Sequence, residues 1–148
     1  MLYILFRYLH FAAIAVFAGA LVIENLAIGK TVSGEDARNL ARVDAVYGLS
    51  AGLVFLFGLI LWLWVGKPAA FYTQNAVFHA KLGLFLLIAL LSIYPTVFFL
   101  RHRRSGAEAI VVPRWIPRLL RMELVLLLIV PLLAILMARG IGLEAAAT

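Results

Sequence analysis

The sequence predicts an all-α fold, an integral membrane four-helix bundle. Three observations carry this. The chain is 66% hydrophobic and only 14% charged, with a mean hydropathy of +1.08, whereas a soluble domain is nearer half apolar. The charged residues gather between apolar runs, and each run is near the roughly 20 residues that cross a hydrocarbon core. The length of 148 residues suits a single transmembrane domain, 1–148, with room for four such runs. All four should be helices, because a helix satisfies its own backbone in lipid.

The first span is read as 2–28. It begins MLYILFRYLHFAAIAVFAGA, and Ala18-Gly19-Ala20 resembles a signal-peptide cleavage site. Arg7 and His10 interrupt the apolar part, and the run continues through Ile23, so it reads as a span that is kept. The connection GKTVSGEDARNLARVDA is polar. Ser33 followed by Asp36 fits a capping box, which starts a helix near Gly34 that feeds the second span, 47–65. Gly29-Lys30-Thr31 has the ending of a phosphate-binding loop, but Glu24 stands where that motif needs its first glycine. The connection GKPAAFYTQN is short. The third span is 78–100. The loop RHRRSGAEAIVVPRWIPRLLR carries six Arg. Pro113 and Pro117 suit the start of a helix, and Trp115 suits an interfacial anchor. The fourth span is 119–138.

Charge sets the orientation. The first and third connections lie on one side of a four-span bundle and hold nine of the 13 Lys and Arg residues; Arg7, Lys67, Lys81 and Arg139 lie on the other. The Arg-rich side is therefore expected in the cytoplasm, with both termini periplasmic in a bacterial inner (cytoplasmic) membrane. The net charge of +6 follows from these loops and does not point to nucleic acid. The partners implied are membrane lipid, with anionic lipid at the basic loop. The chain has no cysteine, which excludes disulfides, cysteine-ligated clusters and thiolate catalysis within it.

Ionisable residues inside spans are functional candidates, and two groups stand out. Arg7, His10, His79 and Lys81 lie towards the expected outer face. Glu24, Asp44 and Glu123 lie towards the cytoplasmic face, with Tyr47 and Tyr94 at similar depth. At about 100° per residue, Arg7, His10, Phe17 and Glu24 share a stripe that should face the bundle interior. Asp44, Ala51, Phe55, Gly58 and Trp62 share one on the second span. His79 and Lys81 point roughly 160° apart. Two histidines from facing helices suit a metal such as copper or zinc, or the iron of a b-type haem, held inside a bundle. Arg7 and Lys81 then suit haem propionates. The ordinary alternative wets the histidines at the span ends and lets Lys81 snorkel to the surface. The three carboxylates suit a proton or cation path. Their ordinary alternative is pairing with Lys30, Arg42 or Arg121. His102 belongs to the basic loop.

The segments RYLHF, RVDAVYGLSAGLV and FHAKLGLFLLIALLSIYPTVFFLR resemble a family of small uncharacterised bacterial membrane proteins, a domain of unknown function with four transmembrane helices. More distantly, His10 in the first span and His79-x-Lys81-Leu82 opening the third resemble HemJ-type protoporphyrinogen oxidases, which bind haem b. That likeness implies His10 and Lys81 as important positions, with His79 a second ligand. The chain departs from it at VIENLAIGK and LLSIYP, which lack the further histidines and the Pro-Arg of that group. CopD-type copper-resistance domains share a looser likeness. The readings that follow are a haem-b-binding redox or porphyrinogen-oxidising protein working with a quinone, a non-enzymatic accessory subunit of a larger respiratory or photosynthetic complex or a homo-oligomer, and a small metal or ion carrier. Soft ligands favour Cu(I), and this chain has no Cys and three Met, which weighs against a copper carrier.

Overall fold

The computed structural model describes residues 1–143. Four long helices form the bundle: α1 (Leu2–Ala27), α2 (Gly34–Ile60), α4 (Ala76–His102) and α5 (Trp115–Ala138). A π-helical turn, Leu61–Val65, extends α2, and a five-residue helix, α3 (Ala69–Thr73), lies in the second connection. All four long helices are long and apolar enough to cross a membrane. The 24 residues of α5 span about 36 Å at 1.5 Å per residue, enough for the hydrocarbon core and part of each interface. The chain is a multi-pass membrane protein by this architecture.

The helix starts follow from local chemistry. Ser33 Oγ accepts from the Asp36 amide at 3.0 Å, and Asp36 Oδ2 accepts from the Ser33 amide at 3.2 Å. This capping box starts α2 at Gly34, well before the hydrophobic run begins. Asn75 caps α4: its Oδ1 accepts from the amides of Val77 at 2.9 Å and Phe78 at 3.3 Å. Pro95 lies inside α4 and Pro131 inside α5.

The loops at the Arg-rich end are tied together. Strands β1 (Thr31–Val32) and β2 (Ile110–Val111) pair antiparallel, with Thr31 opposite Val111 and Val32 opposite Ile110. Val32 and Ile110 are buried. Gly34 donates to the Ala107 carbonyl at 3.0 Å, and a Cβ at Gly34 would collide with the Ser105 carbonyl oxygen. At the opposite end Asn75 forms an antiparallel bridge with Leu143.

Two hairpins build the bundle. α1 packs chiefly on α2, and α4 on α5; α2 then meets α4, and α1 meets α5. Phe17, Leu21, Ile88, Phe99, Ile116 and Leu120 are fully enclosed at the centre. Leu26, Leu90 and Leu128 are exposed, as residues facing acyl chains should be. The predicted stripe on α1 holds for Phe17 and Glu24, which are buried, and for His10, which is half-buried. It fails for Arg7, which is exposed and donates from Nη1 to Tyr3 Oη at 3.1 Å. Arg7 is near the helix end, where its charge stays in contact with water.

Candidate functional site

Three carboxyl side chains are buried inside the bundle, near enough for their charges to act on one another. Glu24 comes from α1, Asp44 from α2 and Glu123 from α5, with exposures of 1%, 5% and 0%. Tyr47, one turn beyond Asp44, donates from Oη to Glu123 Oε2 at 2.8 Å. Thr96 of α4 donates from Oγ1 to Asp44 Oδ1 at 2.8 Å. Asn25 donates from Nδ2 to the Leu21 carbonyl at 2.9 Å and the Leu120 carbonyl at 3.0 Å, which clamps α1 on α5. Phe17 stacks on Tyr47 with ring centres 4.6 Å apart. Glu24 Oε1 and Glu123 Oε1 are enclosed with no hydrogen-bond partner.

The ion pairs offered by the sequence do not form. Lys30, Arg42 and Arg121 are exposed, and Arg42 instead donates to Asn39 Oδ1 at 3.3 Å. Helix geometry gives the reason. Arg42 stands two residues before Asp44, and Arg121 two before Glu123, so each points to the other side of its helix. The charged groups close to Glu24 are Asp44 and Glu123. Burying charges without compensation costs several kcal/mol per ion, a cost that a bound proton or cation removes.

Beside the cluster lies a cavity of about 490 Å³ between α2 and α4, with Phe17 at its side. Ala41, Ala45, Gly48, Ala51 and Ala89 leave the space, and Asp44, Tyr47, Phe85, Ser92 and Thr96 also line it. Ser92 Oγ donates to the Ala89 carbonyl at 2.8 Å.

The second predicted group is divided. His10 sits half-buried against Gly58, where a Cβ would lie 3.3 Å from the imidazole Cε1. Its Nδ1 is enclosed and unpartnered. Lys81 of α4 is half-buried, near enough for its charge to act on His10. His79 is exposed, and its Nε2 donates to the Thr73 carbonyl at 2.7 Å. The structure thus brings His10 and Lys81 to one region and leaves His79 and Arg7 at the surface. Among the described residues, no three His, Asp or Glu side chains are grouped to hold a metal ion. His102 lies in the last turn of α4, bonded to the Phe98 carbonyl at 2.8 Å.

Sequence reasoning singled out Tyr94 and passed over Thr96. Tyr94 is 50% exposed, whereas Thr96 reaches Asp44. The signal was available: Ser92 and Thr96 are four apart and share a helix face. Asn25 and Asn75 were also missed, each a lone amide beside an apolar run.

A family model described as Predicted membrane protein (DUF2214) matches residues 3–142. The chain belongs to this family. No curated protein and no solved structure matches it. The DUF2214 match takes in all four long helices except Leu2, and every candidate residue from Arg7 to Glu123.

Proposed function

We propose that this DUF2214 chain is a proton-handling membrane protein whose working groups are Glu24, Asp44 and Glu123, with Tyr47 as donor to Glu123. One observation supports the reading: three carboxyl groups from three helices are buried inside the bundle near enough to act on one another, and among the described residues none of them forms an ion pair with Lys or Arg. Ionisable groups at such positions mark ion and proton pathways. We place the chain in the inner membrane of a bacterium, with the Arg-rich end in the cytoplasm. Infrared titration of the purified protein tests the reading. A carbonyl-stretch band of protonated carboxyl should change with pH and should shrink in Glu24→Gln, Asp44→Asn and Glu123→Gln. A spectrum in which no such band responds to these substitutions overturns it.

A second reading places a b-type haem on His10, favoured by the enclosed, unpartnered Nδ1 and the nearby Lys81 charge. Haem would supply one-electron chemistry when bound. His79 joins as second ligand only by giving up the Thr73 carbonyl. The absorption spectrum before and after dithionite decides. A Soret band lost in His10→Ala supports this reading, and protein absorbance alone, from cells supplied with haem, ends it.

A further inference from the structure

We infer that the cavity between α2 and α4 binds a hydrophobic organic cation, with Asp44 as its counter-ion. The inference rests on the proton-handling reading for its coupling and on the cavity wall for its ligand. The wall has three hydroxyl groups, and each has an acceptor within the protein. Tyr47 donates to Glu123, Ser92 to the Ala89 carbonyl and Thr96 to Asp44. Among the described residues, no Lys, Arg, His, Asn, Gln or Trp lines the space, and the backbone amides of α2 and α4 are held within their helices. What the wall presents is lone pairs, ring faces and one carboxyl group.

That inventory selects by charge. Asp44 is 5% exposed, and its Oδ1 accepts from Thr96. No hydrogen bond to its Oδ2 is made among the described residues, and Asp44 lines the cavity. The Phe17 and Phe85 rings, with centres 6.2 Å apart, add π faces that attract a cation. A strongly hydrated inorganic ion would find too few oxygens in a mostly apolar wall, and a volume of about 490 Å³ is that of a site for a small organic molecule. An anion or a quinone carbonyl needs a donor. With the wall's hydroxyls each donating within the protein, a proton on Asp44 is the donor such a ligand would use among the described residues, so acceptor and cation demand opposite states of that group. Binding a cation to protonated Asp44 forms an ion pair and breaks one O–H bond. The proton leaves to solvent, and no electron moves. Cation and proton therefore exchange at one site.

The test uses the purified full-length protein in detergent, with tetraphenylphosphonium as probe and tetraphenylborate, its anionic counterpart of the same shape, as control. Equilibrium dialysis should show saturable binding of the phosphonium and none of the borate. Asp44→Asn, which keeps an oxygen for Thr96, should weaken phosphonium binding at least tenfold. Gly48→Leu should abolish it by filling the space, since a Cβ at Gly48 meets nothing within 4 Å. Equal binding of the two ions, binding of neither, or full affinity in either variant overturns the inference. Proton release in weakly buffered solution separates the two claims. Saturable phosphonium binding that depends on Asp44 but releases no proton keeps the cavity's ligand and defeats the exchange. An infrared carboxyl band that titrates while neither ion binds keeps proton handling and defeats the cavity inference.

Discussion

Replacing Tyr47 by Phe removes one hydroxyl and leaves its ring on Phe17. The loss falls on Glu123, which is 0% exposed and receives its hydrogen bond on Oε2 at 2.8 Å. Its other oxygen, Oε1, already lacks a partner. Interhelical hydrogen bonds in membranes average about 0.6 kcal/mol and reach about 1.7. Stranding a buried acceptor costs about 1–3 kcal/mol. The two ranges overlap at about 1–1.7 kcal/mol, roughly a 5- to 18-fold change in the folding equilibrium. Reversible unfolding in mixed micelles would measure it. The decisive comparison adds Glu123→Met, because with the acid gone Tyr47→Phe has nothing left to strand. The two substitutions should be non-additive by at least about 0.5 kcal/mol. A single variant as stable as the parent, or strictly additive losses, would refute the buried Tyr47–Glu123 bond as an energetic link.

Other outcomes follow from the ends of the helices. Asn75→Ala removes the cap of α4 and its donor to the Ile141 carbonyl, and should cost about 0.5–2 kcal/mol, read by thermal melting in detergent. Ser33→Ala should cost a similar amount, with faster hydrogen exchange at the first amides of α2. Two glycine substitutions should differ in sign. Gly48→Ala enters open space and gains helix propensity of up to about 1 kcal/mol. Gly34→Ala drives its Cβ into the Ser105 carbonyl, so it should destabilise by about 1–3 kcal/mol and speed proteolysis within 103–109.

The fold was legible because lipid imposes one rule. Four apolar runs of spanning length leave little choice but helices, and Ser33 with Asp36 marked the start of α2 before its hydrophobic run began. The loop ladder was not foreseen, since two-residue strands leave no period to detect. Thr31-Val32 and Ile110-Val111 are β-branched, which is consistent only in hindsight. For the site, position along the helix was readable and pairing was not. The sequence put Glu24, Asp44 and Glu123 at one depth. Whether Arg42 and Arg121 neutralise them depends on which way each points, and the two-residue offset from Asp44 and Glu123 already answered that. His10 and His79 shared a depth as well, but His79 has a nearer partner in the Thr73 carbonyl.

The polar cluster also bears on why such groups persist in lipid. Three hydrogen bonds join one hairpin to the other at the same end of the bundle: Tyr47 to Glu123, Thr96 to Asp44 and Asn25 to the Leu120 carbonyl. Towards the opposite end, Trp62 and Phe78 meet as rings with centres 4.9 Å apart. Rings hold helices without changing charge, whereas carboxyl groups change what they accept when a proton arrives. Were stability the only demand, apolar side chains of similar volume would serve, because replacing a buried polar pair is often neutral or stabilising. The Tyr47→Phe, Glu123→Met double variant separates the two demands. It should fold at least as stably as Tyr47→Phe alone, and its infrared carboxyl band should have lost the Glu123 contribution. Stability kept while proton response is lost assigns Glu123 to chemistry. A double variant less stable than either single one assigns it to packing.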